Sequence, residues 1–359
     1  MPERVFPLYP TCEVDIVPSA VIHSVKMSAR ELNLLITAPL DGASLERVRR
    51  AGDGIRLLEA SELLRAEEKG DASARTQLDA LLAEAEVIYG FRLPRNITAR
   101  APKLKWVQVM SAGVDKFLED EEFRRSKVIL TNVSGIHAVP IGEFVLGLML
   151  MFTKQAPLCF ELKQRREWRR FVPSVLHSKT VGIVGLGSIG REVARLAKAF
   201  GMTVLAVRRS AQRSGRARYV DRLLTPAQLP QLLSESDFVV LALPLTPETR
   251  ELIGEAELRA MKPTAYLVNI ARGEIVDEKA LIRALEEGWI AGAGLDVFAT
   301  EPLPADSPLW ELPNVIFSPH IAGGMEDYVS RATEVFCDNL KRYLSGRRLR
   351  NVVDKTKGY

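Results

Sequence analysis

Cysteine and histidine are scarce in this sequence of 359 residues, with three of the first (Cys12, Cys159 and Cys337) and four of the second. The cysteines are odd in number and far apart, which argues against a disulfide framework and fits a reducing compartment. No CxxC or HxxxH spacing occurs, so no metal site is expected. A surplus of one charge is missing too. Lys plus Arg number 49 against 45 for Asp plus Glu, and an excess of +4 gives no reason to invoke nucleic acid while leaving room for a small anionic ligand. The longest apolar run, 144–152, is about half of the ~20 residues that a membrane span needs. Residues 1–12 have no cationic start followed by an apolar core, and prolines interrupt them, so they do not read as a secretory signal. The expectation is a cytoplasmic protein without membrane contact.

What is present, 47% hydrophobic and 26% charged residues, excludes disorder, collagen and coiled coil, and the length suits about two domains. Apolar runs at 32–37, 87–90, 106–110 and 128–131 alternate with stretches rich in Ala, Leu and Glu, as strands joined by helices do. This reads as a small α/β unit with a parallel sheet. Residues 1–30 lack a clear period and read as an N-terminal arm. From 180 the alternation is cleaner, with runs at 181–184, 203–207, 238–242, 266–270, 292–296 and 315–317. Six continuous runs are what a parallel sheet covered on both faces requires, so the second unit is expected to be doubly wound. Helical spacing at 327–344 follows the last of these strands and is expected to pack back on the first unit, making that unit discontinuous. Between 138 and 152 only Glu143 interrupts the apolar text; a buried helix and an interdomain or subunit contact both fit. The basic stretch 163–170 carries Trp168 and fits either a solvated face or a cover over a pocket at a domain edge.

The run 181–184 leads into Gly185-Leu186-Gly187-Ser188-Ile189-Gly190 and then into apolar residues at helical spacing as far as Phe200. A GxGxxG alone is weak evidence, but here strand, turn, helix and second strand occur in order. Gly185 permits the tight turn, Gly187 lets the backbone approach a pyrophosphate, and Gly190 lets the helix lie close to the strand. The N–H groups at the helix start, from Ser188 and Ile189 on, then face an anion. A dinucleotide that carries no extra phosphate is usually recognised by Asp or Glu at the end of the second strand. This chain has Arg208, Arg209 and Ser210 there, and no acid before Asp221. An Arg in that place attracts the 2′-phosphate of NADP. The plainer reading is that Arg208, Arg209, Arg213, Arg216 and Arg218 form a solvated loop.

Ligands of open α/β sheets bind beyond the carboxyl ends of the strands. Three polar residues follow three successive apolar runs there: Arg272 in Asn269-Ile270-Ala271-Arg272-Gly273, Glu301 after Asp296, and His320 in Ser318-Pro319-His320. Reduction of a carbonyl by a nicotinamide needs a proton at oxygen, for which His is well suited near neutral pH. A carboxylate beside that His orients it, and an Arg can hold a substrate carboxylate and polarise the neighbouring carbonyl. Singly, each has a bland explanation as a loop, turn or salt-bridge residue. Jointly, and behind a nucleotide turn, they point to catalysis.

With these residues in view, the chain resembles the D-isomer-specific 2-hydroxyacid dehydrogenase family from about Leu32 to Leu344. The motifs that carry the likeness are the glycine turn, Leu243-Pro244-Leu245-Thr246-Pro247-Glu248-Thr249, the segment around Arg272, Gly294-Leu295-Asp296-Val297-Phe298 with Glu301-Pro302, and Ser318-Pro319-His320. The resemblance implies a flavodoxin-like substrate domain at 31–136 and 321–350 and a Rossmann-type dinucleotide domain at 137–320, while the arm at 1–30 is longer than is usual in the family. It implies Arg272, Glu301 and His320 as the catalytic set. Gly185, Gly187, Ser188, Ile189, Gly190, Ala271, Asp296 and His320 would face the cofactor, Asp296 at its nicotinamide end, with Pro244 and Thr249 on the adenosine side. Ser111-Ala112-Gly113-Val114-Asp115 is similar to the family's substrate loop, in which the N–H groups of Ala112 and Gly113 would hold the substrate carboxylate together with Arg272. Met110, Trp168, Trp310 and Met325 are candidates for the side-chain pocket. The family is mostly homodimeric, and 143–152 would be the interface helix. The expected activity is NAD(P)-dependent reduction of a small 2-oxo acid of the glyoxylate or hydroxypyruvate kind, with NADP preferred and NAD possible. Two alternatives stay open: a dinucleotide-sensing, corepressor-like binding protein, and the same chemistry on a different substrate such as phosphite.

Overall fold

The computed structural model describes residues 31–359, so the arm at 1–30 lies outside the described residues. Two parallel sheets organise the chain. The first contains β1 (Leu32–Ile36), β2 (Ile55–Glu59), β3 (Val87–Gly90), β4 (Trp106–Val109) and β5 (Ile129–Thr131), in the order β2-β1-β3-β4-β5. The second contains β6 (Thr180–Val184), β7 (Thr203–Val207), β8 (Gly215–Ala217), β9 (Val220–Leu224), β10 (Phe238–Leu241), β11 (Tyr266–Asn269), β12 (Gly292–Leu295) and β13 (Val315–Phe317). Its order is β13-β12-β11-β10-β6-β7-β9-β8, parallel throughout except for the β8–β9 hairpin. The order reverses between β6 and β10, the switch point at which doubly wound sheets bind ligands beyond the strand ends. The expected fold class is thus borne out, with a Rossmann-like nucleotide-binding unit.

Three strands correct the sequence reading. β2 is a half-buried edge strand whose Arg56 and Glu59 interrupt the apolar signal. The Arg-rich stretch after β7 is a loop only as far as Ser214: β8, which carries Arg216, turns at Arg218 and Tyr219 into β9, which takes the place beside β7. The second sheet therefore has eight strands where six were expected. Asp221, the first acid after β7, accepts from the N–H of Val204 at 2.8 Å and pairs with Lys198, at the end of the strand away from the glycine turn.

The apolar helix Ala138–Thr153 buries Val145, Leu148 and Phe152 against the second sheet and the helix Ser188–Ala199. The approach is close, since a Cβ on Gly142 would fall 2.8 Å from Glu192 Cγ. The helix Tyr328–Leu344 returns to the first sheet, where Phe336 stacks on Tyr89 at 4.1 Å and on Trp106 at 5.4 Å. The chain then adds residues 351–359 to the same unit, past the limit of 350 expected for it: Val352 bridges to Thr131 and the N–H of Val353 donates to Leu130 at 2.9 Å. Among the described residues no single helix is long and apolar enough to cross a membrane.

Candidate active site

A cleft of about 800 Å³ opens between the carboxyl ends of the two sheets, lined from the second by Gly187, Pro244, Arg272, Asp296 and His320. The glycine turn shapes one end. Gly185 has φ +103°, and a Cβ there would lie 2.3 Å from the carbonyl oxygen of Ala242. A Cβ on Gly190 would meet the Gly185 carbonyl oxygen at 2.1 Å, whereas one on Gly187 would point into open space. No side chain caps the helix Ser188–Ala199, so the N–H groups of its first turn, beginning with Ser188 and Ile189, are left for an anion. A tight turn, an open Gly187 and an uncapped helix start fit the pyrophosphate of a dinucleotide.

At the end of β7 Arg208 is half-buried, and its Nε is buried with no hydrogen-bond partner. Arg209 is exposed and lies over the ring of Tyr359, its Cζ 4.7 Å from the centroid. Pro244 lines the cleft, and Thr249 shapes the loop behind it: its hydroxyl donates to the Pro244 carbonyl and accepts from the N–H of Thr246, both at 2.8 Å. Ala271 lines the cleft with its N–H donated to Asn269 and its carbonyl accepting from Arg272 Nη1.

His320 and Glu301 face each other across the turns that follow β12 and β13, with Nδ1 and Oε2 2.9 Å apart. The other Glu301 oxygen accepts from the N–H of Phe298 at 3.2 Å. His320 holds a left-handed φ of +54°, and its own N–H donates to the Asp296 carbonyl at 2.8 Å. Asp296 is 2% exposed and its carboxylate is already occupied. It accepts from the Ser318 hydroxyl at 2.6 Å and from the N–H groups of Ile321 and Ala322 at 2.8 and 3.0 Å. Its role in the structure is to fix the loop that carries His320, beyond the cofactor-facing place expected for it.

Arg272 reaches across the cleft to the loop 111–115. Its Nη2 and Nε donate to Asp115 at 2.9 and 3.2 Å, and its Nη1 to the Ala271 carbonyl at 2.7 Å. Burial pushes the Asp115 carboxyl up, but the Arg272 charge and hydrogen bonds outweigh it and hold the group below the usual carboxylate range. The loop itself is tied down by its carbonyls: Ser111 Oγ donates to Gly113 at 2.7 Å and Asn132 Nδ2 to Ala112 at 2.8 Å. The N–H groups of Ala112 and Gly113 have no acceptor among the described residues. A Cβ on Gly113 would fall 1.7 Å from Arg272 Nη2, so glycine allows the loop and the guanidinium to meet.

Sequence reasoning did not single out Asp115, nor a second link beside it. Tyr328 donates to the Met110 carbonyl at 2.5 Å and lies 3.0 Å from His137 Nε2. Burial pushes the Tyr328 hydroxyl up to about 12, so it keeps its proton and gives it to Met110. His137 Nε2 is then the donor toward Tyr328, which leaves Nδ1 as the bare nitrogen, buried without a partner. Burial also pushes the His137 pKa down, so the ring stays neutral. Of the four pocket candidates, Met110 is buried in the core, Trp168 is 91% exposed, Trp310 packs on the edge of Phe317, and neither they nor Met325 line the cleft.

Comparison with known proteins agrees with this geometry. Residues 146–322 match the NAD binding domain of D-isomer specific 2-hydroxyacid dehydrogenases. A glyoxylate reductase of Korarchaeum cryptofilum is 39% identical over 265 residues, covering 71% of this chain and 77% of that one. Glyoxylate/hydroxypyruvate reductase B of Pectobacterium carotovorum is 39% identical over 294 residues, 78% of this chain and 91% of its own. Among solved structures, a D-isomer specific 2-hydroxyacid dehydrogenase of Xanthobacter autotrophicus in complex with NADPH and MES superposes with a TM-score of 0.78 at 30% identity, over 92% of this chain and all of that one (100%). The chain belongs to the D-isomer-specific 2-hydroxyacid dehydrogenase family.

Proposed function

We propose that this protein reduces a small 2-oxo acid, glyoxylate or hydroxypyruvate in kind, to the D-2-hydroxy acid with NADPH as the preferred cofactor. The observation that carries the reading is the His320–Glu301 pair at 2.9 Å, set in the same cleft as Arg272 and an open glycine turn. When bound, the dinucleotide supplies a hydride to the carbonyl carbon. His320, its Nδ1 engaged by Glu301, presents Nε2 as the proton donor to the carbonyl oxygen. Arg272 spends two donors on Asp115 and one on Ala271, which leaves N–H groups on Nη1 and Nη2 to hold the substrate carboxylate and polarise the carbonyl. The free N–H groups of Ala112 and Gly113 complete the carboxylate site from the other wall, and Ser111 fixes their loop.

NADPH is favoured because two arginines and no acid follow β7, and because Arg208 keeps a buried, unpartnered Nε there. The relative solved with NADPH points the same way. The names of the two reductases above support the substrate class. We assign 31–136 with 321–359 to substrate binding and 137–320 to the dinucleotide. A homodimer in the cytoplasm is part of the same reading, and rests on the family resemblance and on the apolar helix Ala138–Thr153.

Initial rates of NADPH and NADH oxidation against glyoxylate, hydroxypyruvate, pyruvate, longer 2-oxo acids and, in reverse, phosphite test the proposal. Turnover of a 2-oxo acid with NADPH preferred is the expected result. A tenfold better kcat/KM with NADH overturns the cofactor part, and dinucleotide binding without any turnover overturns the enzyme reading in favour of a sensor.

A further inference from the structure

Residues 351–359 belong to the substrate-binding unit by their anchors and to the dinucleotide cleft by their far end. The anchors are specific. Asn351 Nδ2 donates to the carbonyls of Asn132 and Ser134 at 3.2 and 2.9 Å, and Val353 extends the first sheet through Leu130. Lys355 Nζ donates to the carbonyls of Phe123 and Ser126 and to the Ser126 hydroxyl, at 2.9 to 3.2 Å, and sits 4.4 Å over the Phe123 ring. The last residues close into a turn in which the N–H of Gly358 donates to the Asp354 carbonyl at 2.9 Å and the N–H of Asp354 to that of Tyr359 at 3.0 Å. That turn carries Gly358 and Tyr359 into the wall of the cleft that Gly187 and Pro244 also line. There the Tyr359 ring meets the guanidinium of Arg209, which has no ion pair and no side-chain hydrogen bond among the described residues. Glu248 is near enough to feel the charge of Arg209 but does not pair with it.

We propose that Tyr359 is a positioning residue for cofactor selection: its ring backs the Arg209 guanidinium and turns the free N–H edge toward the 2′-phosphate of NADPH. The proposal rests on the NADPH reading above. The physical reason is that a ring stacked on the face of a guanidinium leaves its in-plane donors open, so a planar fork is held ready for a phosphate. Without the ring, an exposed Arg with no other partner loses its rotamer freedom only when the phosphate arrives, and affinity falls. The same stack joins the two units across the cleft, so the segment that reads the phosphate is fixed to the unit that reads the substrate.

Equilibrium titration with NADPH and with NADH, followed by nicotinamide fluorescence, tests this on the wild type, Y359A, Y359F, R209A and the Y359A/R209A double variant. Thermal unfolding confirms that each variant is folded. Y359A is expected to weaken NADPH about 3- to 10-fold and NADH by less than about twofold, the scale of a stack on a partly exposed cation. Y359F is expected to bind like the wild type, and Y359A to cost nothing further in the R209A background. Equal weakening of both dinucleotides, no weakening by Y359A, or a full effect of Y359A without Arg209 overturns the proposal. If R209A weakens NADPH but Y359A does not, only the role of Tyr359 fails. If the wild type prefers NADH and R209A changes neither affinity, the NADPH reading fails and the role of Tyr359 with it.

Discussion

Arg272 and Asp115 form an ion pair across the cleft, 2.9 Å between Nη2 and the carboxylate, so the residue that would anchor the substrate is itself held by the opposite unit. The pair orients the guanidinium and ties the loop 111–115 to the strand-end of β11. Side chains at this contact are 27% and 29% exposed, which places it between the weak surface pairs and the costly buried ones.

The acid behaviour of this pair follows from the direction in which Asp115 is shifted. Its carboxyl in the folded chain titrates below the ordinary 3.8, so the stabilisation is complete above that value and is lost as pH falls through the folded pKa. The expected result is that the gap in Tm between the wild type and Asp115→Asn is constant from about pH 5 to pH 8 and closes below about pH 4. A gap that instead varies across the neutral range would mean that the pair is not what the substitution removes.

His320 and Glu301 make different demands on their replacements. On the proposed mechanism His320→Ala removes the proton donor and is expected to lower kcat by about 100-fold or more. Glu301→Gln keeps a hydrogen-bonding group beside Nδ1 and removes the charge, so a smaller drop of about 10-fold is expected. Steady-state kinetics with a saturating 2-oxo acid measures both, and a His320→Ala variant that retains most of its activity rejects the assignment.

Phe336 shows how the last helix is bound to the first sheet. It is fully buried between Tyr89 and Trp106. Phe336→Ala removes both stacks and leaves a cavity, at an expected cost of about 3–5 kcal/mol in stability. Urea unfolding of the variant should show a lower midpoint, and a change below about 1 kcal/mol would mean that the helix contributes little to this core.

The parts of the fold that could be read in the sequence are those buried on both faces. The runs at 87–90 and 238–242 coincide within one residue with β3 and β10, interior strands whose residues are all buried, because a covered parallel strand has no charged residue to blur its ends. β2 escaped because an edge strand keeps charged residues, and β8–β9 because an Arg-rich hairpin has the composition of a loop. In the site the same division holds. Arg272, Glu301 and His320 were legible because they interrupt apolar text at the strand ends. Asp115 was not, since its partner lies 157 residues away, nor was the link between His137 and Tyr328 across 191 residues. Such contacts are set by how two units pack, which no local spacing records.

The proposed preference for NADPH gives Arg208 a test of its own, independent of Arg209. Its Nε is buried without a partner at the end of β7, an arrangement that costs stability unless an anion completes it. A charge-assisted bond to a phosphate is worth about 1.5–3 kcal/mol, which corresponds to a roughly 10- to 100-fold preference. Arg208→Ala is therefore expected to lower kcat/KM for NADPH by about 10- to 100-fold while NADH changes by less than about 3-fold. Because the orphaned Nε disappears with the side chain, the variant should also be no less stable than the wild type in the absence of dinucleotide. Equal losses with both cofactors would show that Arg208 supports the loop and does not read the phosphate.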